Sequence, residues 1–255
     1  MKTLLILVDG MRPDALANCK AAQKVMANSV YTLNAQTVMP SVTLSCHMSL
    51  FFSMMPERHG TKGNTYVPPS RQLLSLFDVL AIEKKKVAAF YSWEPLRNLC
   101  YPASLDYSLM IKGGNYGYEK ANNRLTDAAI GYIREEDPEL TFLYLGYPDE
   151  AGHEHGWMSE EYMKSLENSW ENIVRAMEAI PKDYAVIITA DHGGHDHTHG
   201  TDSPEDMTIP LIFAGAERDL VGNLDDVNII DIAPTIAALA GIEANENWEG
   251  KSLLK

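Results

Sequence analysis

Short apolar runs alternate along this chain with longer segments whose apolar residues step by threes and fours. Residues 4–8, 87–91, 140–146, 184–190 and 209–214 are the short runs. Residues 73–84, 119–135, 160–180 and 232–240 are the longer segments, and a further helix is expected over 43–52, opening after Pro40 with hydroxyls at Ser41 and Thr43 to cap it. A run without internal polar alternation reads as a strand buried on both faces. Strands separated by helices of ten residues or more imply a mostly parallel sheet with helices on both faces, an α/β sandwich of three layers. The chain has 255 residues, no internal repeat and no Pro/Gly/Ser-rich linker, so a single domain over 1–255 is expected.

Open sheets of this kind bind ligands in the crevice at the carboxyl ends of their strands. Three apolar runs lead into an aspartate there: Val8 into Asp9, Gly146 into Asp149 two residues later, and Ala190 into Asp191. One such aspartate is an ordinary turn residue. Three on neighbouring parallel strands face one another, and crowded carboxylates require a shared proton or a cation. Histidine favours the cation. Six of the eight histidines lie between 153 and 199, with His153 four residues after Asp149 and His192 beside Asp191. Mixed Asp and His ligands suit Zn²⁺, with Mn²⁺ or Fe²⁺ as alternatives. The set exceeds one tetrahedral site, so two metals are expected. His155, His195 and His197 are surplus and are expected as supporting or surface residues.

The balance of charge narrows the partners. A formal net charge of −14 disfavours polyanions, so neither a nucleic acid polymer nor an anionic membrane is an expected partner. Bound dications would invert the local field and admit a small anion. The three cysteines are scattered, without a CxxC or an even framework, as in a reducing compartment. The apolar run 4–8 is too short to span a bilayer or to serve as a signal-peptide core, which makes the cytoplasm the expected location.

Taken together, the motifs resemble the alkaline phosphatase superfamily, and within it the type I phosphodiesterase/nucleotide pyrophosphatase family. They are Asp9 in Leu-Val-Asp-Gly-Met-Arg-Pro-Asp, Thr43 in Pro-Ser-Val-Thr, Pro56-Glu-Arg-His59-Gly60 with Asn64, Asp149-Glu-Ala-Gly-His153, Asp191-His192-Gly, and His199-Gly. The resemblance runs from residue 4 to about 214 and implies an alkaline-phosphatase-like three-layer sandwich. It implies two zinc sites, one held by Asp149, His153 and His199, the other by Asp9, Asp191, His192 and the hydroxyl of Thr43. It further implies Thr43 as nucleophile, a phosphothreonine intermediate, and Asn64 as amide donor to a phosphoryl oxygen. Two features depart from many relatives. Thr43 is followed by Leu44-Ser45-Cys46 rather than Phe-Pro-Asn, and only six residues separate His192 from His199, where relatives acting on extracellular nucleotides carry a long insertion. A nucleotide substrate therefore does not follow.

The expected activity is that of a metal-dependent phosphodiesterase on a small phosphoester. A phosphomonoesterase or a phosphoryl mutase of the same superfamily is the alternative, and a metal-binding domain without catalysis is the reading outside the enzymes. A sulfatase is disfavoured because the Cys/Ser-x-Pro-x-Arg signature is absent. Residues 91–118, rich in tyrosine and holding Trp93, are read either as a small cap over the crevice or as packing at the sheet edge. Tyr147 and Trp157 flank the Asp149–His153 segment and are expected to line the pocket. Arg12 is read as a phosphate contact or an exposed helix-start residue.

Overall fold

Residues Thr3–Val8 are buried at every position, which places this strand at the centre of the sheet rather than at an edge. Burying each of its large apolar side chains contributes about 1.5–3 kcal/mol. The computed structural model describes residues 1–255 and forms one seven-stranded sheet. The strands are β1 (Thr3–Val8), β2 (Val30–Gln36), β3 (Val87–Tyr91), β4 (Tyr107–Met110), β5 (Leu140–Leu145), β6 (Ala185–Thr189) and β7 (Thr208–Phe213). Their spatial order is β2-β7-β6-β1-β5-β3-β4. All neighbouring pairs from β6 to β4 are parallel, and β7 runs against both β6 and β2. The sheet is therefore mostly parallel, as expected.

The helices are α1 (Lys20–Met26), α2 (Thr43–Phe52), α3 (Pro56–His59), α4 (Leu76–Ile82), α5 (Gly113–Tyr116), α6 (Tyr118–Glu136), α7 (Tyr147–His155), α8 (Glu160–Ala179), α9 (Pro204–Met207) and α10 (Ile232–Leu239). Helices α1, α6, α7 and α8 pack together as one layer, and α2, α4 and α10 as another. The periodic stripe of α8 is what turns inward: Tyr162, Leu166, Trp170, Ile173 and Ala176 are buried. A single apolar cluster of 67 residues fills the space between sheet and helices. No helix is long and apolar enough to cross a membrane.

The sequence pattern does not announce β2, β4, α1 or α7. The strand β2 is an edge strand with an interrupted register against β7, and β4 is an exposed edge of four residues. Edges bury one face at most, so their apolar signal is weak. Within 91–118, Tyr107 of β4 stacks on Tyr132 of α6 at 4.7 Å and tilts against Phe90 of β3 at 5.6 Å. The expected hydroxyl cap of α2 also differs. Val42 takes the N-cap position without a side-chain bond, Ser41 Oγ donates to the Thr201 carbonyl at 2.7 Å, and Thr43 is the first helical residue. The threonine hydroxyl is thus left free of a capping role.

Candidate metal centre

The order β6-β1-β5 brings the exits of three parallel strands side by side. Asp9 follows β1, Asp191 lies just beyond β6, and Asp149 sits in the first turn of α7 just beyond β5. Gly10, with φ +68°, turns the chain directly after Asp9; a Cβ there would stand 3.1 Å from Asp149 Cα, so this close approach needs glycine.

The carboxylates converge with one oxygen each left over. Asp9 Oδ2 accepts from the buried Tyr144 hydroxyl, and Asp191 Oδ1 accepts from Gly10 N–H at 3.3 Å. Asp9 Oδ1, Asp149 Oδ1 and Asp191 Oδ2 are buried and have no hydrogen-bond partner. Around them stand three imidazoles whose Nδ1 atoms all lie against backbone carbonyls. His192 Nδ1 is 2.8 Å from Gly193 O, His199 Nδ1 2.8 Å from Ser41 O, and His153 Nδ1 3.0 Å from His197 O. A carbonyl only accepts, so each ring carries its proton on Nδ1 and offers the Nε2 lone pair to the carboxylates.

Lone pairs facing anions repel, and burial aggravates this. Burial, reinforced by Asp191, drives the Asp9 carboxyl well above its ordinary range. Burial, reinforced by Asp9, does the same to Asp149. Asp191 is pushed up to about 7, chiefly by burial. Burial depresses His192, and takes His199 down to about 3. A cation resolves every one of these conflicts at once.

Ligand spacing supports the same conclusion. His192 Nε2 lies 3.3 Å from both Asp9 Oδ1 and Asp191 Oδ2. Asp149 Oδ1 lies 3.5 Å from His153 Nε2 and 3.6 Å from His199 Nε2. Tetrahedral zinc with bonds of 2.0–2.1 Å separates its ligands by about 3.3 Å. Two groups satisfy mutual proximity within 4.8 Å: Asp149, His153 and His199, and Asp9, Asp149 and His192. Asp149 is shared between them, and the His192 and His199 rings stack at 3.8 Å across the junction. The residues present therefore fit a pair of divalent cations.

Thr43 Oγ1 is 3.1 Å from His192 Nε2, beside the second of these groups. Exposed Asn64 accepts the Leu44 N–H on its Oδ1 at 3.0 Å, which leaves its NH₂ group directed elsewhere. The Leu44 amide at the helix start is thereby engaged by Asn64. Arg12 is also engaged: it pairs with Asp14 and donates to the Gly194 carbonyl at 3.0 Å, bracing the loop that carries the histidines. His195 pairs with Asp206 at 2.8 Å, His197 Nδ1 lies 3.1 Å from His153 O, and His155 lies beside Glu154. The partners of these three surplus histidines thus lie on α9 and α7.

Two neighbours of the site escape a reading by motif, and a third, Trp157, takes a place other than the expected one. Tyr144, on β5, is a fully buried phenol whose polar tip must find a partner, a signal available from its place in an apolar strand. His47 stands at i+4 from Thr43; its Nδ1 is 2.7 Å from Thr43 O and 3.5 Å from Asp191 Oδ2, and burial takes it down to about 3. Trp157 is buried beneath the centre rather than lining an open pocket.

The profile of the type I phosphodiesterase/nucleotide pyrophosphatase family matches residues 3–98 and 83–208. The 2,3-bisphosphoglycerate-independent phosphoglycerate mutase of Haloquadratum walsbyi is 28% identical over 146 residues, covering 53% of this chain and 28% of the mutase. The chain thus matches little more than a quarter of the length of that curated relative. Among solved structures, human ectonucleotide pyrophosphatase/phosphodiesterase 5 superposes with a TM-score of 0.81 at 13% identity, over 98% of this chain and 97% of that one. A 2-O GAG sulfatase superposes with a TM-score of 0.75 at 15% identity, over 99% of this chain and 73% of that one. These likenesses agree with the alkaline-phosphatase-like sandwich. Since the family profile extends over most of the sequence, the chain belongs to the type I phosphodiesterase/nucleotide pyrophosphatase family.

Proposed function

We propose that this protein hydrolyses a small phosphoric ester, a diester in preference, at a centre of two divalent cations, with Thr43 as nucleophile. The observation that carries this reading is the convergence of three unpartnered carboxylate oxygens and three Nε2 lone pairs, with the Thr43 hydroxyl beside His192. Asp149, His153 and His199 would hold one cation; Asp9, Asp191 and His192 the other, beside Thr43. Zinc is the first choice for this donor set. Bound cations would supply Lewis acidity and lower the pKa of a coordinated hydroxyl.

The chain's own residues account for the remaining requirements. The first turn of α2 holds Thr43 Oγ1 against His192. In-line attack of Oγ1 on phosphorus forms the threonyl phosphoester while the bond to the leaving alcohol breaks. The threonine proton goes to solvent, and the departing oxygen takes one from water. Water then cleaves the phosphothreonine and regenerates the hydroxyl. Asn64 uses its NH₂ on a non-bridging oxygen, oriented by the bond its carbonyl accepts from Leu44.

We read 1–255 as one catalytic domain with 91–118 as a small aromatic-rich cap. Tyr66, two residues beyond Asn64, lines a cavity of about 670 Å³ with Tyr91, Arg97 and Tyr101.

The match to phosphoglycerate mutases favours one second reading, in which the phosphoryl group on Thr43 passes to another alcohol instead of water. The test is hydrolysis of bis-p-nitrophenyl phosphate against p-nitrophenyl phosphate, with and without chelator, and with an added alcohol acceptor. Chelator-sensitive diester preference is the expected result. Preferential capture by the alcohol would favour the mutase, and inactivity on every ester would end the enzymatic reading.

A further inference from the structure

Trp157 is only 7% exposed and lies directly under the metal centre. Its indole Nε1–H donates to the Gly10 carbonyl at 2.9 Å, which satisfies the one polar atom of the ring. Three glycines form its socket. An ideal Cβ on Gly152 would lie 2.6 Å from the ring, one on Gly194 2.2 Å, and one on Gly10 3.3 Å. Each glycine belongs to a different ligand segment: Gly10 follows Asp9, Gly152 precedes His153, and Gly194 comes two residues after His192. Above this socket the indole meets the His153 ring edge-on at 5.1 Å and the His199 ring at 5.9 Å. The main chain joins in, since Trp157 N–H donates to Asp196 O at 2.7 Å.

We propose that Trp157 is a positioning residue of the metal centre, holding the outer ligands His153, His199 and Asp149 in register with the inner ones. The inference rests on the two-cation reading above. Its physical basis is close packing. An interior at crystal-like density transmits displacement, so a rigid ring wedged among three ligand segments sets the distances between them. A residue that merely filled space would not need a glycine on every side. The contacts are unequal. His153 and His199 touch the ring directly, whereas Asp9 is reached only through Gly10 and Asp191 and His192 only through Gly194, so the outer cation depends on the indole more than the inner one.

Two substitutions separate positioning from filling. Trp157→Phe keeps a ring but loses the donor to Gly10 and part of the contact with the histidines. Gly152→Ala lies inside α7, where alanine is the better helix former, so any loss there runs against local propensity. Chelator-stripped full-length protein is titrated with Zn²⁺ against a chromophoric chelator, well below the melting temperature of each variant. The outer cation is identified as the one that His153→Ala fails to bind. Wild type is expected to take two equivalents. Both variants are expected to weaken the outer cation about tenfold or more, the usual effect of disturbing ligand support, and the inner one by less than about threefold. Unchanged affinities, or an equal loss at both cations, would make Trp157 plain core and overturn the inference. Wild type taking fewer than two equivalents would instead overturn the two-cation reading on which it stands.

Discussion

The proposed inner ligands, Asp9, Asp191 and His192, and the proposed outer ligands, Asp149, His153 and His199, are built into the fold by different means. Asp9, Asp191 and His192 leave the ends of central strands, and their side chains are at most 2% exposed. In the outer group, His153 is 43% exposed and Asp149 18%, and both are carried by α7. Strand ends inherit their spacing from the register of the sheet, whereas α7 and the loop of residues 193–199 are held by packing and by hydrogen bonds between loops. The inner group is therefore the rigid half of the centre, and the outer group the half that a local change can disturb.

Substitution at the inner edge breaks this comparison most severely. Thr43→Ala is expected to lower turnover by roughly 10⁴-fold or more, as loss of an enzymatic nucleophile does, while both cations stay bound. Activity near wild type would rule out a covalent threonine step, and metal analysis on the same sample tests retention. Asp191→Asn removes a buried anion from the inner group and is expected to lose metal and most activity. His153→Ala, at the exposed edge, is expected to lose one cation only. If elemental analysis finds the two variants equally depleted, the division into inner and outer groups fails.

The legibility of the two groups in the sequence follows the same division. The apolar runs before Asp9 and Asp191 reveal both a buried strand and the point where it ends, so the inner carboxylates are visible as soon as the sheet is. Asp149 and His153 are recognisable by spacing, yet the helix that carries them is not. Its sequence Tyr-Pro-Asp-Glu-Ala-Gly-His-Glu-His has almost no apolar stripe, and α7 owes its place to contacts with α8. Thr43 reads as an ordinary cap from its neighbours, but it is the first helical residue, and only the fold brings its hydroxyl to His192. Tyr144, His47 and Trp157 act through atoms brought from distant positions, and no local periodicity encodes such meetings. The aromatic segment 91–118 shows the limit from the other side: its composition suggested a binding surface, while Tyr107 stacks on α6 and Tyr91 and Tyr101 face a cavity.

Tyr144→Phe sharpens the comparison from within the inner group. The phenol occupies Asp9 Oδ2, so Oδ1 alone is presented to the centre. Removing the hydroxyl leaves the ring, its edge contact with His47 at 5.5 Å and the fold in place. Loss of such a supporting hydrogen bond is expected to weaken metal affinity by roughly 10–100-fold. The loss should fall on the inner cation, opposite to the Trp157 variants. Competition with a chromophoric chelator measures it, and a loss confined to the outer cation would contradict the role of the bond.

The smallest effect concerns the loop that joins the two groups. His195 stands between His192 and His199 and pairs with the buried Asp206, which also accepts from Thr201. The hydrogen bond to Asp206 raises His195 above its ordinary value of 6.5. For Asp206, burial pulls upward, but the bonds from His195 and Thr201 outweigh it and hold the carboxyl below its ordinary 3.8. A raised histidine stabilises the fold fully below its unfolded value and loses that contribution as pH climbs through the folded one. A depressed carboxylate stabilises above its unfolded value and loses the contribution as pH falls through the folded one. The ion pair is therefore present between about pH 4 and 6.5 and fades on the alkaline side first through His195. The expected advantage of wild type over His195→Gln is about 0.5–1 kcal/mol in that window, as for a part-exposed pair. It should shrink toward zero above neutrality. Melting temperatures of the two proteins across this range, with metal present, give the measurement. A difference that grows with rising pH would mean that the loop is held by neutral contacts, and that its two metal-bearing ends are joined without help from charge.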